Sequence, residues 1–216
     1  IDEDSDWMTK ILQSKSFLLI PPANIQAMFM RIQEVATRAG EIVIHQGDEG
    51  DYYYIIKSGR AKVTRSSKTG TELTLATLKD GDAFGEEALI SEATRNATIT
   101  METDGFLMRL AKADFLALLK EPMINWLTSE QALAKVSAGA RWLDVRLESE
   151  HANQGLPGSL NIPLFMLRLK VDSLNPNVPY ILYCDTGRRS SAAAFLLSER
   201  GFQTYVLQGG IEAQQS

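Results

Sequence analysis

Four glycines, Gly47, Gly59, Gly70 and Gly81, recur at intervals of 12, 11 and 11 residues in the first half of a 216-residue chain. The stretches around them, residues 41–45, 52–57, 61–65 and 72–78, are rich in β-branched and aromatic side chains, which suit a pleated, half-buried surface. Short strands punctuated by turn signals at this spacing build an all-β barrel or sandwich. Asp48-Glu49-Gly50-Asp51, residues 66–70 and residues 79–82 carry the turn chemistry. Helices are expected at 7–15 and 25–34, leading into the barrel, after a loose acidic segment at residues 1–6.

Within this pattern lies Phe84-Gly85-Glu86-Glu87-Ala88-Leu89-Ile90, followed by Thr94-Arg95-Asn96-Ala97-Thr98. Gly85 lets backbone approach a ligand closely. Glu86 is expected to open a single helical turn, with Arg95 nine residues later. One carboxylate and one guanidinium at the two ends of a short helix and loop can grip a molecule that carries both hydroxyls and a phosphodiester. The alternative is a barrel without a ligand, in which Glu86 and Arg95 pair with each other.

This segment resembles the phosphate-binding cassette of cyclic-nucleotide-binding domains, and the resemblance covers about residues 12–120. It implies a double-stranded β-helix, or β-roll, with flanking helices and a terminal helix at 112–120. It also implies a cyclic nucleotide, cAMP or cGMP, as a regulatory ligand. Glu86 falls on the ribose-binding position and Arg95 on the phosphate-binding position. Gly85, Glu87, Ala88, Asn96 and Ala97 supply backbone or side-chain support. Asn96 stands where cAMP-preferring and cGMP-preferring members are told apart, and matches neither common choice. Many members fold a further helix over the purine, but here Pro122 is expected to break the helix and leave out that lid.

The only cysteine, Cys184, heads Cys184-Asp185-Thr186-Gly187-Arg188-Arg189, between the apolar run Tyr180-Ile181-Leu182-Tyr183 and an alanine-rich stretch at 190–200. This reads as strand, tight loop and helix, with a thiol where the strand ends. The N–H groups of such a loop and the helix N-terminus stabilise a thiolate or a bound anion. A lone cysteine is usually inert packing. The glycine and two arginines that follow point instead to a reactive thiol. Arg189 is the better candidate to face a substrate, whereas Asp185 would oppose a thiolate if it pointed inward.

Cys-x-x-Gly-x-Arg, with Trp142-Leu143-Asp144-Val145-Arg146, Asn161-Ile162-Pro163 and Gln208-Gly209-Gly210-Ile211, resembles rhodanese sulfurtransferases over residues 129–214. Glu150 stands where that family has an acid. Gly155 replaces a histidine common there, and Gln214 lies near a position where tryptophan is common. The resemblance implies an α/β domain with a central parallel sheet and a catalytic loop formed by Cys184, Asp185, Thr186, Gly187, Arg188 and Arg189. Cysteine phosphatases of the same architecture place an arginine six positions after the cysteine; here that position is Ser190. The tighter loop suits a sulfane sulfur. Asp144 and Arg146 are expected to be structural, forming an ion pair or bonding to backbone, with Arg146 also in reach of Glu150. His151 is expected to pack where the family has an aromatic.

The implied chemistry is attack by the Cys184 thiolate on the outer sulfur of an anionic donor such as thiosulfate. The resulting persulfide then passes to a thiol or cyanide acceptor. The partners are therefore a small-molecule sulfur donor and acceptor together with the cyclic nucleotide, and the chemistry itself needs no cofactor. The alternative is a non-enzymatic cyclic-nucleotide-binding signalling or redox-sensing module with a catalytically weak rhodanese domain.

The domain expectation is a cyclic-nucleotide-binding domain at 1–120, a short linker at 121–128 containing Pro122 and Trp126, and a rhodanese-like domain at 129–216. The 44% apolar content is enough for two cores. Residues 1–120 hold 14 basic and 18 acidic side chains, the remainder 8 and 9, so neither half suits nucleic acid. With one cysteine and two histidines, His45 and His151, neither a disulfide nor a zinc site is expected, and no apolar run is long enough for a membrane span. A cytoplasmic location is expected, and a homodimer is compatible with the sequence although no exposed heptad supports it. Ile1 is not an initiator methionine, so the chain reads as a fragment of a longer one.

Overall fold

The computed structural model describes residues 6–14 and 17–215. The expected loose segment at 1–6 and the end of the expected helix at 7–15 fall partly outside these residues. The chain divides into two compact units, Ile1–Pro122 and Met123–Ser216.

The first unit opens with helices α1 (Asp6–Gln13) and α2 (Pro22–Arg31). Helix α2 begins three residues before its expected start, because Pro22 at its first position needs no N–H partner and its fixed φ is already helical. It also ends earlier: Ile32 is extended, and Gln33 already belongs to the next strand. The barrel follows as β1 (Gln33–Thr37), β2 (Ile42–Ile44), β3 (Tyr52–Ser58), β4 (Ala61–Ser66), β5 (Glu72–Leu78), β6 (Ala83–Phe84), helix α3 (Glu86–Ser91), β7 (Thr98–Met101) and β8 (Gly105–Ala111). Among the described residues these strands form two four-stranded antiparallel sheets, ordered β1-β8-β3-β6 and β2-β7-β4-β5. The spaced glycines all have positive φ, as the turns between the strands require. The core includes Ile55, Ile56, Leu107, Leu110 and Phe84, with Tyr54 stacked on Phe84 at 5.1 Å and Tyr53 on Phe115 at 4.6 Å.

The helix after the barrel does not stop at Pro122. It runs as α4 (Lys112–Phe115), a π-helical turn over Leu116–Lys120, and α5 (Glu121–Met123). It ends at Met123, one residue past Pro122, and among the described residues no further helix lies between it and Trp126, as expected of a helix broken here. Proline removes the N–H that would bond the carbonyl four residues back, which is Leu118. Here the Asn24 side-chain amide, from α2, donates to the Leu118 carbonyl at 3.1 Å. The π-turn and this donor let the helix absorb the proline.

In the second unit, β9 (Trp126–Leu127), α6 (Ser129–Ser137), β10 (Arg141–Asp144), α7 (Glu148–Asn153), β11 (Leu160–Asn161), α8 (Leu167–Lys170), β12 (Tyr180–Tyr183), α9 (Arg188–Glu199) and β13 (Thr204–Leu207) follow in order. The strands form one parallel sheet, ordered β11-β10-β12-β13-β9. Its central strand, Tyr180-Ile181-Leu182-Tyr183, is buried along its whole length, as expected of a parallel strand covered on both faces. Residues 121–128 contain the end of the helix and the edge strand β9, whose residues pair with Val206 and Leu207. Thr128 then caps α6 through a reciprocal exchange with Gln131. No helix among the described residues is long and apolar enough to cross a membrane.

Candidate functional site

Cys184 follows directly on β12 and is completely buried. The loop turns back under its own sulfur. Gly187 N–H donates to Cys184 Sγ at 3.0 Å and Ser190 N–H at 3.4 Å, while Ser190 Oγ lies 3.3 Å from the sulfur. This requires Gly187 to adopt φ 109° immediately before α9, a region disfavoured for residues with a Cβ. A Cβ at Gly187 would also come within 3.1 Å of the Trp126 ring. From below, the loop is held by Ile211 N–H donating to the Cys184 carbonyl at 2.8 Å. That bond fixes the Gly209-Gly210 turn against the site.

Arg189 is the charged centre of the loop. Its Nη1 donates to Glu150 Oε2 at 2.8 Å and its Nη2 to Glu150 Oε1 at 3.2 Å, with Asp185 Oδ1 3.3 Å from Nη2. Burial disfavours the Arg189 cation, yet these two carboxylates outweigh it and raise its pKa. The hydrogen bonds from Arg189 hold the Glu150 carboxyl below its ordinary value despite partial burial. Asp185 is partly buried, which favours its neutral form, but the Arg189 charge and the Thr186 N–H at 2.9 Å reverse the effect and lower its pKa. Thr186 and Arg188 are exposed. Arg146 reaches Glu150 only through its charge, which helps to lower the Glu150 pKa; the hydrogen bonds to Glu150 come from Arg189 and the Leu147 N–H.

Behind this site sits a second ionic cluster. Arg146 donates to both Asp144 oxygens, at 3.0 and 2.8 Å, and Asp144 is fully buried. His151 is not aromatic packing. Its Nδ1 lies 2.9 Å from Asp144 Oδ2. The missing family histidine at 155 is explained by the same contact, since a Cβ on Gly155 would lie 2.7 Å from His151 Nδ1. The small residue leaves room for a histidine arriving from α7.

In the barrel, Gly85 takes φ 92° just before α3, and Glu86, at the first helical position, is fully buried. Its Oε2 accepts no hydrogen bond from the described residues. Arg95 is 5% exposed. It donates to the Gly85 carbonyl at 2.5 Å and the Tyr52 carbonyl at 2.8 Å, and forms an ion pair with Asp51 at 3.2 Å. Its own main chain is tied to Asp48 and Gly47. The Asn96 amide donates to Glu87 Oε2 at 2.9 Å, and Arg65 donates to the Asn96 carbonyl. Ala88 and Ala97 are buried beside them. The fold thus gathers Gly85, Glu86, Glu87, Ala88, Arg95, Asn96 and Ala97 around one helix and one loop.

Asp51, Tyr52 and Arg65 join this cluster without a motif to announce them. Ser190, Glu150 and Trp126 likewise join the cysteine loop. Glu150 carried a signal in its spacing from Asp144-Val145-Arg146, and Ser190 was read only as the absence of an arginine.

Residues 34–121 match the cyclic nucleotide-binding domain family and residues 128–216 the rhodanese-like domain family. The chain therefore contains a cyclic nucleotide-binding domain followed by a rhodanese-like domain. The cAMP-dependent protein kinase regulatory subunit of Schizosaccharomyces pombe is 43% identical over 88 residues, covering 41% of this chain and 20% of that protein. The cyclic AMP receptor protein of Thermus thermophilus is 32% identical over 101 residues, 47% of each chain. The cAMP-bound regulatory domain of Toxoplasma gondii PKA superposes with a TM-score of 0.51 at 25% identity, covering 62% of this chain and 48% of that one. The chain spans between about a fifth and a half of the length of these relatives.

Proposed function

We propose that this chain is a cyclic-nucleotide-responsive sulfurtransferase. The observation that carries the reading is the convergence of the Gly187 and Ser190 N–H groups on Cys184 Sγ. Two aimed N–H donors and a neighbouring hydroxyl surround the sulfur, and a cysteine sulfur so held is the nucleophile that sulfur transfer needs. Cys184 would carry the transferred sulfur. Asp185, Thr186, Gly187, Arg188 and Arg189 would form the catalytic loop, with Arg189 placed by Glu150 and Asp185.

The barrel would hold the regulatory ligand, cAMP or cGMP. The residues fit such a ligand: a buried carboxylate at Glu86, a buried guanidinium at Arg95, and, just before Glu86, a positive-φ glycine where a Cβ would crowd Arg95 Nη1 at 3.1 Å. Glu86 would meet the ribose hydroxyl and Arg95 the phosphate. Gly85, Glu87, Ala88, Asn96 and Ala97 would line the cradle. The cAMP-binding names of the relatives support this half of the reading.

The complete burial of Cys184 favours a second reading, a nucleotide-binding signalling or redox module that holds sulfur without turning over. Mass spectrometry of the protein after incubation with a sulfur donor, followed by addition of a thiol or cyanide acceptor, separates the two. One sulfur gained on Cys184 and then released repeatedly supports the enzyme. Gain without release supports the module, and no gain rejects both. Any response to nucleotide must be reciprocal. Nucleotide affinity measured for the thiol and persulfide forms therefore tests the regulatory half, and equal affinities would remove it.

A further inference from the structure

We propose that the sulfur donor is a hydropersulfide, R–S–SH, on a low-charge organic thiol, rather than an inorganic dianion such as thiosulfate; this rests on the sulfurtransferase reading. The charges on the loop carry the argument. Arg189 is opposed by two carboxylates, Glu150 and Asp185, which together leave that group one negative charge. Arg188, exposed at the start of α9, returns the sum of the four side chains to zero. A dianion therefore meets a neutral rim. To reach the Arg189 guanidinium it must displace a carboxylate held through two charge-assisted bonds. Arg146, the next guanidinium along the domain's first motif, is committed to Asp144.

The second observation is independent of charge. The Trp126 ring lies against Gly187, where a Cβ would be 3.1 Å from it, yet Trp126 remains 41% exposed. An open aromatic face beside the sulfur-binding loop suits the methylene groups of an organic thiol. It offers nothing to a small inorganic oxyanion.

In the step itself, the Cys184 thiolate attacks the terminal sulfur of R–S–SH. The new bond forms between Cys184 Sγ and that sulfur as the original S–S bond breaks, and its electron pair leaves on R–S⁻. The thiolate released takes up a proton from solvent. Sulfur changes carrier, and no outside oxidant or reductant is consumed.

The test measures the rate of Cys184 loading by mass spectrometry with cysteine hydropersulfide and with thiosulfate. Each rate is divided by that donor's rate with a free low-molecular-weight thiol, which removes intrinsic reactivity. The expected result is a normalised preference for the hydropersulfide of about tenfold or more, the scale of one unopposed charge at a half-exposed position. Glu150→Gln, and separately Asp185→Asn, should each raise the ratio of thiosulfate rate to hydropersulfide rate about tenfold, whatever they do to the two rates together. Trp126→Ala should slow only the hydropersulfide. A wild-type preference for thiosulfate, or a donor ratio unmoved in both carboxylate variants, overturns the proposal. Loading by neither donor instead overturns the sulfurtransferase reading beneath it.

Discussion

Glu150 grips Arg189 with both carboxylate oxygens, at 2.8 and 3.2 Å, from a helix 39 residues earlier in the chain. The same carboxylate accepts the Leu147 N–H that opens that helix. One side chain thus fixes the start of α7 and the direction of the guanidinium beside Cys184.

Ser190 offers a direct test of how the Cys184 sulfur is held. Cys184→Ser should abolish sulfur loading. Ser190→Ala should slow it about tenfold, the scale of one hydrogen bond to a charged group. Loading kinetics on both variants, with circular dichroism to check that the fold persists, decide the matter. Wild-type rates in Ser190→Ala would remove the hydroxyl from the mechanism.

Arg95→Ala should weaken cyclic-nucleotide binding by about 2–5 kcal/mol. It should also lower the melting temperature without ligand, because the Gly85 and Tyr52 carbonyls lose their donor. Glu86→Ala should cost less binding, since it removes a hydroxyl contact rather than a phosphate contact. Isothermal calorimetry with cAMP and with cGMP gives both numbers. Unchanged affinity in Arg95→Ala would place the nucleotide elsewhere.

Asp144 links stability to pH. Burial opposes its charge, but the hydrogen bonds from Arg146 and His151 outweigh burial and hold its carboxyl below the ordinary 3.8. A depressed carboxyl contributes stability that is complete above its unfolded value, near pH 4, and lost as pH falls through the lower folded value. Asp144→Asn should therefore cost about 3–5 kcal/mol at neutral pH, as breaking a buried ion pair does. That deficit should shrink as pH drops below about 4. Urea unfolding across pH 3–7 measures it, and a deficit constant with pH would show that the charge is not the cause.

Gly155→Ala should destabilise the rhodanese-like unit by about 1–3 kcal/mol, the usual result of overpacking. The methyl would sit 2.7 Å from His151 Nδ1. In a His151→Ala background the same change should cost much less, because the two positions share one space. A double-mutant cycle by thermal unfolding gives the coupling, and additive costs would reject the shared-space account.

Asn24→Ala should cost about 1 kcal/mol by removing the side-chain donor to Leu118. Combined with Pro122→Ala, which restores a backbone N–H in that turn, the loss should largely disappear. Equal losses in both backgrounds would mean that Asn24 acts through packing alone.

Much of the barrel was legible because its signals are local. Gly47, Gly59, Gly70 and Gly81 each mark a turn with positive φ, and a turn needs no distant partner. The cysteine loop was legible for the same reason, since Cys184, Gly187 and Ser190 lie within one turn of chain. What stayed hidden was non-local or short. Strand β9 has two residues, too few for any periodicity, and its partners Val206 and Leu207 lie far along the sequence. The helix through Pro122 depends on an asparagine from α2, and Asp51 and Arg95, which pair, stand 44 residues apart in the chain. At Gly155 the sequence reading found a missing histidine, whereas the fold supplies another from α7.

Strand β9 also decides where this protein can be cut. Asn125 and Leu127 accept main-chain hydrogen bonds from Val206 and Gln208. A rhodanese-like fragment begun at Ser129 would lack those acceptors and leave β13 as a bare sheet edge, lined by buried Val206 and Leu207. Unprotected edges of this kind template pairing with other chains. Excision at Met123 keeps the strand with its sheet, whereas excision six residues later makes an aggregation-prone fragment out of the same domain.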